Sequence, residues 1–379
     1  YWCSHGTGGA AFIDYMTKIG CKTVSATSFQ CEKKCYIHVF KRLLSYHDNN
    51  NYITCREYLQ EGDKLYGLIS TSNGVNITRD PIGMLKHYIY CKRTNDPSKK
   101  FFTINHSPKD VVDNLILYHN SNGAWTQKPN VNIDNIDFWL NYRYMTFHDD
   151  LLRSKLFNIK NDLFFDMSDF IGDNISLSLE KIIELFDLKV NINSDKINCK
   201  NLFMDRNFSY LPAILSLHED DLITNEIDTN YLKRIDTIEI FIVDPDWVSA
   251  VDGKFFLQSY WYMNFFKFTK EACLDITKMI SKQDNVLFLV EESKFNVLIK
   301  NKIMLDKMIA YLREFLPLLE MHKKNKVTNG EERILKIFAK NPEILQEAKK
   351  IFNNHLSIIE KNKSSIVASW KYYQEFEKL

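Results

Sequence analysis

The sequence predicts an α/β fold: a mainly parallel sheet with crossover helices, an inserted α+β region and a C-terminal helical region. Two observations carry that expectation. Short apolar runs repeatedly feed into stretches of helical periodicity: Tyr1-Trp2-Cys3 before Phe12, Tyr15, Met16 and Ile19; Val75 and Ile77 before Ile82, Leu85, Tyr88 and Ile89; and residues 162–166 before Leu179, Ile182, Ile183 and Phe186. A parallel sheet with crossover helices requires that alternation. From about Asn191 the character changes to strong strands at 235–243 and 286–290 around an aromatic run at 255–268, and the rest of the chain reads as helices. The expected division is 1–190 for the α/β core, 191–300 for the inserted α+β region and 301–379 for a C-terminal helical region packing on the core.

In chain order, the first element is a strand ending at Cys3, then the glycine-rich turn Ser4-His5-Gly6-Thr7-Gly8-Gly9-Ala10, then a helix. Glycines let consecutive backbone N–H groups converge on an anion without interference from Cβ atoms, and the helix dipole adds positive potential. The turn is not a Walker A loop, because no Gly-Lys-Ser/Thr follows at the required spacing. Residues 23–26 and 35–40 are the next expected strands, the second dominated by β-branched and aromatic residues. Val75 and Ile77 lead into Arg79-Asp80-Pro81, where the fixed φ and missing N–H of proline suit the first turn of a helix. Arg79 is thereby expected at a strand's carboxyl end beside a helix N-terminus, where open α/β sheets bind anionic ligands.

Residues 91–135 are polar and turn-rich, predicting loops around one helix near 111–118 that could cover the site. Residues 136–152 carry Phe138, Trp139, Tyr142, Met145 and Leu152 at near-helical intervals, a stripe that reads as core. Asp166 closes a further expected strand, which a helix follows. In the last region, Met304, Met308, Leu312, Phe315 and Leu319 form an apolar stripe, Thr328 to Glu331 has the pattern of a capping box, and Pro342 opens a third helix.

Composition narrows the function classes. Lys plus Arg total 49 against 48 Asp plus Glu, so no global field favours nucleic acid or an anionic membrane, and any phosphate selectivity is local. The 8 cysteines are irregularly spaced, with neither a zinc pattern nor a disulfide framework, which reads as reduced thiols in a cytoplasmic protein. No apolar run is long enough for a membrane span and no signal-peptide pattern opens the chain. The start at Tyr1, inside an expected strand, reads as a fragment with upstream residues missing.

Arg79-Asp80-Pro81 with its apolar-faced helix resembles the 3′-phosphate corner of P-loop-like sulfotransferases that use 3′-phosphoadenylyl sulfate (PAPS). The glycine loop stands where that family has its 5′-phosphosulfate loop. The resemblance implies a sulfotransferase-type parallel sheet, with Gly6, Thr7, Gly8, Gly9 and Ala10 around the 5′-phosphosulfate and Arg79 holding the 3′-phosphate. His87 takes the position of a serine that shares that role in the family. Two departures stand out: the family's loop Lys or Arg is replaced by Ser4, leaving His5 as a stand-in cation if protonated, and the serine itself is absent. The resemblance also points to His38, lying between the two phosphate loops, as the base for the acceptor hydroxyl, with Glu57 and His47 behind it. Together with the Arg-Asp-Pro corner, the closing string from Val367 to Tyr373 resembles an uncharacterised domain family of epsilonproteobacteria, distantly related to sulfotransferases. That string is expected to dock on the core.

The implied function is sulfonate transfer from PAPS to a hydroxyl or amine, a cell-surface glycan among the acceptors, with no metal. The alternative is a non-catalytic nucleotide-binding or protein-interaction domain on the same fold, favoured by the missing loop cation. Phosphoryl transfer fits less well, since neither a Walker lysine nor a magnesium-binding partner is present.

Overall fold

The computed structural model describes residues 1–4, 6–26, 32–45, 51–55, 63–69, 73–90, 100–115, 118–119, 125–126, 131–142, 146–172, 174–190, 210–223, 236–245, 248–251, 254–257, 272–282, 285–324 and 330–379. The chain divides into two compact units, one of residues 1–90, 130–204 and 329–379 and the other of 91–129 and 205–328.

The first unit is built on a parallel sheet. Its helices are α1 (Gly9–Lys18), α2 (Glu32–Ser45), α3 (Asp63–Tyr66), α4 (Pro81–Ile89), α5 (Ile133–Asn141), α6 (Asp149–Lys155), α7 (Asn174–Phe186), α8 (Gly330–Lys340), α9 (Pro342–Ser369) and α10 (Lys371–Glu377). Its strands are β1 (Lys22–Ala26), β2 (Asn51–Cys55), β3 (Asn73–Thr78) and β4 (Asn161–Asp166). β1 pairs with β2 and β3 with β4, both parallel, and Trp2 bridges Cys55 on one side and Asn76 on the other, also in parallel. The first residues of the chain therefore lie between β2 and β3. Trp2 donates its N–H to Val75 at 2.9 Å and Cys3 donates to Cys55 at 3.0 Å.

Strand alternation sorts the side chains onto two faces. Val75, Ile77, Leu163 and Phe165 pack with Phe12, Tyr15 and Met16 of α1, with Ile19 just after it, and with Leu179 and Ile182 of α7. The opposite parity, Asn76 and Thr78, is fully buried, with Asn76 bonded to Asp149 at the start of α6. Each such large apolar side chain contributes on the order of 1.5–3 kcal/mol relative to exposure. Gly74 is required where β3 meets β4: a Cβ there would lie 2.6 Å from Asp162 Oδ1 and 2.8 Å from Ile159 Cγ2.

The C-terminal helices α8 to α10 join α4 and α5 in one core, where Ile82, Leu85 and Tyr88 meet Ile334, Phe338, Phe352 and Phe376. Trp139 stacks on Tyr88 at 5.0 Å, as expected of a core aromatic. The segment expected to be one near-helical stripe is two helices, α5 and α6.

One expected strand is overturned. Residues 35–40 lie inside α2, where Val39 is fully buried while Ile37 and Phe40 stay exposed. Helical spacing from Tyr36 through Val39 to Leu43 outweighs the β-propensity of the same residues, because propensity is a weak prior against burial of one face.

The second unit holds a seven-stranded sheet ordered Val248–Val251, Lys254–Leu257, Cys273–Asp275, Leu287–Glu291, Ile238–Val243, Ala213–Leu217 and Phe101–Phe102. Among the described pairings of this sheet only the last is parallel, so the chain as a whole is mixed α/β with sheets that are partly parallel. The helices Pro108–Leu115 and Lys302–Lys324 also belong to this unit. No described helix is long and apolar enough to cross a membrane.

Candidate functional site

The carboxyl edge of the parallel sheet gathers three junctions: the loop Gly6–Gly9 after Trp2 and Cys3, Arg79 and Asp80 after β3, and Asp166 to Ser168 after β4. Gly6 and Gly8 adopt φ of 82° and 86°, left-handed values that side chains with a Cβ rarely accept, and α1 starts directly after Gly8. A Cβ on Gly6 would lie 3.0 Å from His87 Cδ2, and one on Gly8 would lie 3.0 Å from Met167 Cγ. The loop is thus wedged between α4 and the turn after β4.

Arg79 donates from Nη1 to the Gly6 carbonyl at 3.1 Å. Its guanidinium lies against α4 at Gly83, where a Cβ would lie 3.0 Å from Arg79 Nε. Burial pulls the guanidinium below its ordinary pKa, while Glu331, Asp80 and Asp166 oppose that shift. An arginine stays charged under such pressure. Glu331 is neutralised by Lys86, whose ammonium sits 2.8 Å from it.

Asp80 occupies both carboxylate oxygens. Oδ1 accepts the N–H groups of Ile82 at 2.8 Å and Gly83 at 3.4 Å, capping α4, and Oδ2 accepts the Tyr373 N–H at 3.1 Å. Burial pushes its carboxyl above the ordinary range, against the pull of those three N–H groups and Arg79. Asp166 likewise accepts the Ser168 N–H at 2.8 Å and the Trp370 indole N–H at 2.7 Å. Two strand-end carboxylates therefore hold the tail residues Trp370 to Tyr373 against this edge. The Tyr372 hydroxyl adds a bond to Glu332 at 3.0 Å.

Ser4 turns away from the loop. It is fully buried and donates from Oγ to Asp149 Oδ1 at 2.8 Å, while Asn76 Nδ2 reaches Asp149 Oδ2 at 3.3 Å and the Trp2 carbonyl at 3.1 Å. The Asp149 N–H donates to His355 Nδ1 at 3.2 Å. Burial raises the Asp149 carboxyl and lowers His355 to about 4.

Gly6, Gly8, Gly9, Thr7, Arg79 and His87 are therefore brought to one edge; Thr7 is buried, its hydroxyl donating to the Ser4 carbonyl at 2.9 Å. Ala10 continues α1, its side chain outside the described residues. His38 is not part of this group. It sits on α2, which packs on β1, and β2 and the Trp2 row separate β1 from β3. His5, His47 and Glu57 lie outside the described residues, as do Thr328 and Asn329 of the expected capping box. Among the described residues no group of three His, Cys, Asp or Glu side chains could hold a metal ion. Sequence reasoning missed Gly83 and Asp80 Oδ2, and it expected the string holding Trp370 to dock on the core without its partner Asp166. Gly83 was detectable as the residue one helical turn after Arg79, but the tail contacts carry no local signal.

These features define a mixed α/β protein with glycine and arginine loops at the carboxyl edge of a parallel sheet, a tail docked beside them. The chain belongs to a family described as protein of unknown function (DUF2972), whose model matches residues 164–379. That span contains Asp166 and Trp370 but neither the glycine loop nor Arg79. Neither the curated proteins nor the solved structures contain a match.

Proposed function

We propose that this edge binds a 3′-phosphorylated adenine nucleotide and that the protein is sulfotransferase-like, moving a sulfonate from PAPS to a hydroxyl or amine, with a cell-surface glycan among the acceptors. The convergence of Gly6, Arg79 and His87 is the observation that supports the nucleotide part. The loop N–H groups would take the 5′-phosphosulfate and Arg79 with His87 the 3′-phosphate. The test is a titration with adenosine 3′,5′-bisphosphate, adenosine 5′-phosphate and ATP. Arg79→Ala should weaken the bisphosphate about tenfold or more and the monophosphate little, because a charge-assisted bond contributes on the order of 1.5–3 kcal/mol. Equal losses for both ligands would assign Arg79 to the fold alone.

A second reading, a non-catalytic nucleotide-binding or protein-interaction domain, is favoured by the inward turn of Ser4. A cation at that position would pair with buried Asp149 and not with a donor sulfonate. The absence of His38 from the Arg79 edge favours it too. Tight donor binding without transfer to any offered glycan, phenol or amine would select this reading.

A further inference from the structure

Asp80 stands between the anion corner and the tail. Its Oδ1 starts α4 and its Oδ2 holds the Tyr373 N–H, so the residue next to Arg79 also anchors a segment 293 positions further along the chain. Arg79 is a neighbouring charge that pulls the Asp80 carboxyl toward its ionised form, and Asp166 and Glu331 act in turn on Arg79. An anion seated on Arg79 would offset that pull and place like charge beside Asp80, favouring the protonated carboxyl, a weaker acceptor for the Tyr373 N–H. The tail is also held by single hydrogen bonds from Trp370 to Asp166 and from Tyr372 to Glu332, and by the packing of Trp370, Tyr373 and Phe376 in the helical core.

We propose that anion binding at the Gly6–Arg79 corner and docking of tail residues Trp370 to Tyr373 oppose each other, with Asp80 as the shared element. The inference rests on the anion-site reading above and adds its regulation. Linkage makes the effect reciprocal: whatever loosens the tail tightens the anion, and the anion frees the tail.

Hydrogen exchange of the Tyr373 amide tests this on the full chain, with and without adenosine 3′,5′-bisphosphate and, separately, inorganic phosphate. Saturating bisphosphate should speed exchange about fivefold or more. Tyr372→Phe removes one tail bond without altering charge or core volume, and Trp370→Phe removes the bond to Asp166. Both should bind the bisphosphate several-fold more tightly than wild type. If Asp80→Asn binds more tightly while Tyr372→Phe and Trp370→Phe match wild type, Asp80 acts only as a local charge and the coupling is overturned. Bisphosphate binding that leaves Tyr373 exchange unchanged overturns it as well, with the nucleotide reading intact. Acceleration by inorganic phosphate without bisphosphate binding supports the coupling and removes the nucleotide reading. If neither anion binds, both fall.

Discussion

Trp370 donates its indole N–H to Asp166 Oδ2 at 2.7 Å, joining the break between the last two helices to the end of a strand 204 residues earlier. The neighbouring bond from Tyr373 to Asp80 makes the same kind of join. The tail is therefore part of the sheet's carboxyl edge, and its substitutions should report on that edge.

Asp80→Ala should lower stability by about 2 kcal/mol, combining the loss of a helix cap, about 1 kcal/mol, with an unmade bond to Tyr373 of similar size. Asp80→Asn should cost clearly less, since an amide oxygen can still cap α4 and burial already disfavours the charged carboxylate. Urea unfolding of both variants provides the comparison, and equal losses would contradict the capping account.

Gly83→Ala separates folding from binding. Alanine is favoured over glycine inside a helix by roughly 0.5–1 kcal/mol, so the unfolding midpoint should hold or rise. The added Cβ would meet Arg79 Nε at 3.0 Å and shift the guanidinium, weakening bisphosphate binding. A stable variant with wild-type affinity would show that Arg79 does not bind in this pose.

Gly6→Ala should instead be destabilising by about 1–2 kcal/mol, because φ of 82° disfavours any Cβ and this one would press on His87. Chemical denaturation should place it well below Gly83→Ala.

His355 sets an acid limb. Burial lowers its folded pKa to about 4 from an ordinary value near 6.5, so the folded state binds fewer protons. Its contribution is complete above about pH 6.5 and is lost as pH falls toward 4, by on the order of 3 kcal/mol at most. His355→Leu should lose stability at pH 7, where the Asp149 N–H is left without its acceptor, yet show a shallower decline between pH 6.5 and 4. A parallel pH profile for wild type and variant would exclude His355 as the titrating group.

The local junctions were legible in the sequence. Helical spacing after the glycine turn, the fixed φ of Pro81 and the alternation of Val75 and Ile77 are short-range rules, and α1, β3 and α4 follow them. The strands at 238–243 and 287–291 and the helix opened by Pro342 were equally local. Tertiary structure decided the rest. Residues 35–40 satisfy strand propensity, yet one buried face at Val39 makes them helical. Ser4 carries no mark of direction in the sequence, and only the arrival of Asp149 from α6 turns it into the core. The pairing of Asp80 and Asp166 with the tail has the same origin: a carboxylate's acceptor oxygens accept whichever N–H the packed chain presents, and the helices that deliver Tyr373 and Trp370 are placed by their own apolar core.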